Sequence, residues 1–336
     1  MYGDMYTEYG QAGQRVRADE VLRRWHHEAV RLLASDIDGT LVPRLGPVSD
    51  RTVAALRAAE HAGVHVVLAT GRPPRWMVEI AARTGLQGHA VLANGAVVVD
   101  LQRVGDPDQG VVRTTTIAPD VALQMALDLR AELPDVCFAV ESVDAFGVEP
   151  DWPRAVEGSL PRAPLEELLR RSGPIVKMLV KLPGADPFAD PDADPDGPAA
   201  HASASGIGDH LLAVANRVLG GRGEPTHSGA VVPLVEIGPP GVTKASTLAR
   251  LASDLGVDPV DVVAFGDMPN DVAMLRWAGA GYAMTGGHPD AVAAADHLAP
   301  PCDQDGVAQV VERLLVERLR ADRSHADHPP TGRRTA

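Results

Sequence analysis

The chain has 336 residues, enough for one large or two modest domains around a sizeable core. Its 45 acidic against 31 basic residues give a net charge of −14 without a Lys/Arg stripe, which argues against a nucleic-acid surface. No run approaches the roughly 18 apolar residues of a membrane span. Residues 1–30 carry Asp4, Glu8, Asp19 and Glu20 and no apolar stretch, so they do not read as a secretory signal. The expectation is a soluble cytoplasmic protein, monomeric or homodimeric. Cys137 and Cys302 lack metal-ligand spacing and read as free thiols. Only three basic residues are lysine, at 177, 181 and 244, in a chain that otherwise uses arginine.

From residue 30 short apolar runs alternate with longer helical text, the pattern of a parallel sheet covered by helices. "VRLLASD" is the first predicted strand, followed by a helix with Ser49 as N-cap and Gly63 just past its end. "VHVVLAT" is the second strand, and "RPPRWMVEIAARTGL" opens a helix at a proline pair. In "HAVLANGAVVVD", Asn94-Gly95 between apolar arms predicts a hairpin. A separate α/β unit is expected over 112–238, with strands at "VVRTTTI", "VCFAVES", "PIVKMLVKL" and "VVPLVEI" and helices at "DVALQMALDLRAEL" and "GDHLLAVANRVLG". Residues 184–206 are rich in Pro, Asp and Ala and read as a mobile loop. Its "DPDADPD" lacks the glycine and distal glutamate of a calcium loop. After 240 the first pattern returns: helix "GVTKASTLARLASDLG", strand "DVVAFGD", helix "PNDVAMLRWAGA", strand "GYAMT", short helix "HPDAVAAADH" and a last helix from Asp305. The organisation predicted is an extension over 1–30, a discontinuous core of 31–111 and 239–317, the insertion, and a disordered tail over 318–336.

In a parallel sheet the carboxyl ends of the strands share one edge, where ligands bind. Asp36 and Asp38 follow the first strand, Thr70 and Gly71 end the second, and Asp267 ends "VVAFG", with Asn270 and Asp271 opening the next helix. Carboxylates gathered in this way repel one another unless a cation joins them, and hard oxygen ligands select Mg²⁺, which typically bridges carboxylates to a phosphate. Lys244 stands in the first turn of its helix, where the helix dipole disfavours a cation. A lysine there is placed to neutralise the carboxylates and hold a transferring phosphoryl group.

With "DIDGTL", "LATGR", a lysine opening a helix and "GDMPND" in this order, the chain resembles the haloacid dehalogenase (HAD) superfamily. "ANGA" at 93–96 and the insertion between the second and third motifs look like the Cof-type, subfamily IIB branch with a C2 cap. The resemblance implies a Rossmann-like parallel sheet with helices on both faces, an inserted α/β cap domain, and a Mg²⁺-dependent phosphatase of small phosphorylated metabolites. It makes Asp36 the nucleophile that forms a phosphoaspartate and Asp38 the general acid and base. Thr70 and Lys244 would hold phosphoryl oxygens. Asp267 would ligate Mg²⁺ with Asp36 and the backbone carbonyl of Asp38, while Asn270 and Asp271 support that shell. The lysine is followed by Ala245 where these proteins commonly have glycine, and "TGGHPD" replaces a more usual Gly-Asn-Ala text.

Several residues keep two readings. Asn94 is either a turn residue or a neighbour of the substrate phosphate, and Arg72 pairs with a core carboxylate or with substrate. Lys177 and Lys181 share a strand face, read here as a solvated face of the cap in preference to one looking into the site. Glu141, Asp144 and Glu149 are partners for sugar hydroxyls or solvated loop positions. His61, His65 and the other histidines show no ligand spacing and read as surface or packing residues. A phospho-receiver module has a different motif order and no large insertion, and a cation pump carries threonine at the place of Asp38 and needs membrane helices. A phosphohexomutase-like phosphotransferase stays open, because the cap decides between mutase and hydrolase.

Overall fold

The structure, a computed structural model, describes residues 30–43, 46–106, 110–153, 160–183, 198–227 and 234–327. The extension over 1–29, the "DPDADPD" segment and residues 328–336 lie outside the described residues. Two sheets organise the chain. The larger has eight strands: β1 (Leu32–Ser35), β2 (His65–Ala69), β3 (His89–Leu92), β4 (Val97–Asp100), β5 (Val111–Thr114), β11 (Val262–Gly266), β12 (Ala280–Met284) and β13 (His297–Ala299). Their order is β13-β12-β11-β1-β2-β3-β4-β5. Pairing is parallel from β13 to β3 and antiparallel from β3 through β5.

Side chains of each central strand alternate between two apolar clusters. Leu33, Val66, Leu68, Val263 and Phe265 pack toward α1 (Asp50–His61) and α2 (Met77–Thr84). Leu32, Ala34, Val67, Val262 and Ala264 face the other way, toward Leu248 and Leu251 of the helix at Lys244–Asp254 and Met274 and Leu275 of the helix at Val272–Trp277. Burial on both faces is why these strands read as near-continuous apolar runs. Ser49 caps α1 as expected, its hydroxyl accepting from the Thr52 N–H at 3.0 Å.

The second sheet has the order β7-β6-β8-β10-β9, from β6 (Cys137–Ser142), β7 (Phe146–Val148), β8 (Ile175–Lys181), β9 (Glu224–Thr226) and β10 (Leu234–Gly238). Its strands β6, β8 and β10 bury Phe138, Val140, Met178, Val180, Val235 and Ile237 together with residues of α3 (Pro119–Glu132), α4 (Leu165–Arg171) and α5 (Pro198–Leu219). The opposite face carries Glu141, Lys177 and Glu236, all buried. In chain order the remaining helices are α6 (Lys244–Asp254), α7 (Val272–Trp277), α8 (Pro289–Ala294) and α9 (Gly306–Asp327).

Three boundaries differ from the sequence reading. "VVRT" pairs with β4 and closes the edge of the first sheet rather than opening the second unit. Its alternating burial marks a half-covered edge strand, a pattern that fits either sheet. Residues 198–206, expected in the loop, are the first turns of α5; their Ala-rich text favours helix, and Pro198 stands at the first position. Likewise α9 runs through Asp327, well into the expected disordered tail. Among the described residues, no helix is long and apolar enough to cross a membrane.

Candidate active site

β1, β2 and β11 are adjacent and parallel, so their carboxyl ends lie side by side. The Asp36 N–H donates to the Phe265 carbonyl at 2.9 Å, which carries the β1–β11 pairing one residue further and fixes this carboxylate at the sheet edge. The chain then turns, with the Leu41 and Val42 N–H groups both donating to the Ile37 carbonyl. Gly39 takes φ +82°, and a Cβ there would collide with the Asp267 carboxylate. The glycine of "DIDGTL" is thus what lets the turn approach the end of β11. Thr40 Oγ1 donates to Asp267 Oδ1 at 2.9 Å.

Lys244 is the first residue of α6, whose Thr243 and Ser246 form a reciprocal capping box. Its ammonium lies 2.6 Å from Asp36 Oδ1 and 2.7 Å from Asp271 Oδ1, and the residue is 1% exposed. Burial works against its charge, but Asp271 and Asp36 outweigh that and hold its pKa above the ordinary lysine value. The other oxygen of Asp271 accepts from the Asp267 and Met268 N–H groups, both at 3.0 Å. Asp36, Asp267 and Asp271 each bring one carboxylate oxygen within 4.8 Å of the others. Burial, offset in part by Lys244, leaves Asp36 well above the carboxylate range. Asp267 is pushed up to about 7 by burial and by the Asp271 charge.

One lysine therefore faces three carboxylates, and the excess negative charge fits a divalent cation held by hard oxygen donors. The Oδ1 atom of Asn270 is buried beside this cluster with no hydrogen-bond partner. The side chain of Asp38 stands apart from the three carboxylates: it accepts from Arg72 Nε at 2.8 Å and from Nη2 at 2.5 Å. Arg72 thus pairs with a carboxylate of the core. Thr70 is buried, and its hydroxyl accepts from the Arg72 N–H at 3.1 Å.

The second sheet meets the first at this edge. Asn94 adopts φ 54° in the turn between β3 and β4, so it is a turn residue. It is also a bridge: Nδ2 donates to Glu236 at 2.7 Å, and Oδ1 accepts from Asn270 Nδ2 at 3.0 Å. Lys177 is buried rather than solvated and donates to Glu236 at 2.8 Å and to the Gly71 carbonyl at 2.9 Å. Glu141 is buried against Arg75, Glu149 accepts from the Phe138 N–H inside the insertion, and Asp144 is exposed. Sequence reasoning missed Glu236; the available signal was a lone acid in the apolar strand "PLVEIG", on the same face as Lys177.

Known proteins resemble the chain in sequence and in fold. The chain is 26% identical over 305 residues to the Bacillus subtilis 5-amino-6-(5-phospho-D-ribitylamino)uracil phosphatase YcsE, covering 85% of this chain and 96% of that one. A solved HAD subclass IIB sugar phosphatase superposes with a TM-score of 0.64 at 22% identity, over 84% of this chain and 98% of the other. The chain also aligns at 25% identity over 299 residues with the chloroplastic endoribonuclease YBEY of Arabidopsis thaliana, covering 83% of this chain but only 45% of that protein's length. A model of the haloacid dehalogenase-like hydrolases matches residues 33–159 and 226–311, the two segments that carry the carboxylates and the lysine. That match spans more than half of the chain and brackets α5, and the protein belongs to the haloacid dehalogenase-like hydrolase family.

Proposed function

We propose that this protein is a Mg²⁺-dependent phosphomonoester hydrolase of small polar phosphorylated metabolites, sugar phosphates foremost, acting through an aspartyl-phosphate. The observation that carries this reading is the pair of aspartates with separate surroundings. Asp36 is held by Lys244 inside the carboxylate cluster, whereas Asp38 is oriented from outside by Arg72. The related phosphatases, one acting on a ribityl phosphate and one on sugar phosphates, support the substrate class.

Asp36, Asp267, Asp271 and the Asp38 carbonyl would hold the Mg²⁺. When bound, the ion supplies charge stabilisation for the transferring phosphoryl group. Asp36 attacks phosphorus and forms the phosphoaspartate; Lys244 works against the burial that raises its pKa and, with the bound cation, would favour the ionised nucleophile and offset the charge on the phosphoryl oxygens. Asp38 gives a proton to the departing oxygen and then takes one from the attacking water. One carboxylate cannot attack phosphorus and protonate the leaving group together, which accounts for two aspartates at a spacing of two. Thr70 and Gly71 would border the phosphate, and Asn94 and Asn270 tie that border to the insertion. The insertion, as a cap, would exclude bulk water and select the leaving group.

A screen of phosphorylated metabolites with Mg²⁺, reading released phosphate, tests the reading. Sugar phosphates should lead the profile, Asp36→Asn should abolish turnover, and Asp38→Asn should slow both half-reactions. Substantial turnover by a clean Asp36→Asn preparation would sink the nucleophile assignment. Phosphate moved between positions of one sugar without release would replace hydrolysis with mutase chemistry.

A further inference from the structure

Away from the three catalytic carboxylates, Asp209, His227 and His288 bring one ligand atom each within 4.8 Å of the others. They come from separate elements: Asp209 from α5, His227 from the residue after β9, and His288 from the cap position of α8. Two therefore belong to the inserted unit and one to the core. We propose that they form a second metal site, for a borderline transition dication of the Zn²⁺ class, that clasps the insertion to the core.

His227 is 2% exposed, with Nε2 3.1 Å from Asp209 Oδ1. Its Nδ1 is buried and has no hydrogen-bond partner. Nε2 is therefore the nitrogen this ring offers to an ion shared with Asp209, and Nδ1 lies across the ring from that contact. What points to an ion is the convergence of two imidazoles and one carboxylate from three separate elements, with the two rings in edge-on contact. Burial lowers the pKa of His227 and favours the neutral imidazole, the form that binds metal.

Distances agree with a shared ion. Ligands about 2.0–2.1 Å from a tetrahedral zinc lie about 3.3 Å apart, and two imidazoles on one ion place their ring centroids roughly 5–6 Å apart. His227 and Asp209 are separated by 3.1 Å, and the centroids of His227 and His288 by 5.8 Å. The donor set also separates this site from the catalytic one. Two imidazoles and one carboxylate favour Zn²⁺, Co²⁺ or Ni²⁺, whereas Mg²⁺ keeps to oxygen ligands.

The His288 N–H donates to the Asp267 carbonyl at 2.7 Å, so the clasp adjoins the catalytic cluster. Zn²⁺ held there would resist opening of the insertion and slow Mg²⁺-dependent turnover without competing for the Mg²⁺ ligands. That consequence rests on the hydrolase reading; binding itself does not.

The test uses the full chain in saturating Mg²⁺, with Co²⁺ as a visible probe and Zn²⁺ as competitor. One equivalent of Co²⁺ should bind with the intense absorption of a tetrahedral, imidazole-ligated ion and be displaced by Zn²⁺. Asp209→Asn and His288→Asn, both outside the buried core, should weaken binding at least tenfold and leave the Mg²⁺ dependence of turnover unchanged. Absence of the band, or a band equally strong in both variants, would overturn the site. Zn²⁺ that binds there and leaves turnover unaffected would overturn the clasp.

Discussion

Asp267→Asn isolates the electrostatic cost of assembling the carboxylate cluster. In the folded chain Asp267 titrates near 7 instead of the ordinary 3.8 because it is buried and faces Asp271. Between those values the unfolded chain has lost a proton that the native state still holds. Native stability without metal therefore falls as pH rises through this window and levels off above about 7. Three pKa units at about 1.36 kcal/mol each set a ceiling of about 4 kcal/mol, shared with Asp36, whose pKa is raised by the same burial. Thermal unfolding in EDTA, from pH 4.5 to 7.5, compares the two proteins so that titrating groups outside the carboxylate cluster cancel. The wild type should lose roughly 5–10 °C relative to Asp267→Asn across that range. Saturating Mg²⁺ should remove the slope, because an ion that needs the ionised cluster stabilises the native state by mass action. Parallel pH profiles of the two proteins in EDTA would refute the reasoning.

Three further outcomes follow from individual contacts. Lys244→Met strands Asp36 and Asp271 without a counter-charge and should cost about 3–5 kcal/mol in urea unfolding at pH 7.5, with turnover lost. Arg72→Gln should lower the unfolding free energy in urea by less than about 1 kcal/mol, since the Asp38 side chain is 42% exposed, yet lower kcat at least tenfold by releasing Asp38. Gly95→Ala, at φ +114° with a Cβ that would run into the Thr243 carbonyl, should destabilise by about 2 kcal/mol or more and be visible as an earlier melt.

Residues whose placement is decided locally were legible in the sequence. Asp36, Thr70 and Asp267 end apolar runs, and Lys244 opens a helix against its dipole, so parallel-sheet geometry alone predicts that they meet. The strand at Val111–Thr114 was assigned to the wrong sheet because a short, half-polar edge strand carries no mark of its partner. Glu236, Lys177, His227 and His288 were hidden for another reason. Their neighbours come from the contact between the inserted unit and the core, and neither local periodicity nor spacing encodes that contact. A lysine at period-two spacing looks the same whether its strand face meets water or the Gly71 carbonyl.

That contact explains why a charged pair is buried where apolar residues would pack at less cost. Lys177 and Glu236 are both nearly inaccessible, and desolvating such a pair often cancels its attraction. Their stability contribution is therefore a weak reason for their presence. Their geometry is a stronger one. Lys177 reaches the Gly71 carbonyl directly after Thr70, and Glu236 reaches Asn94, which in turn accepts from Asn270 next to Asp271. A greasy interface tolerates sliding, but these hydrogen bonds form in one register only. The network thus ties the position of the insertion to the two loops that border the carboxylate cluster, so under the proposed function closure of the insertion and assembly of the site would be one event.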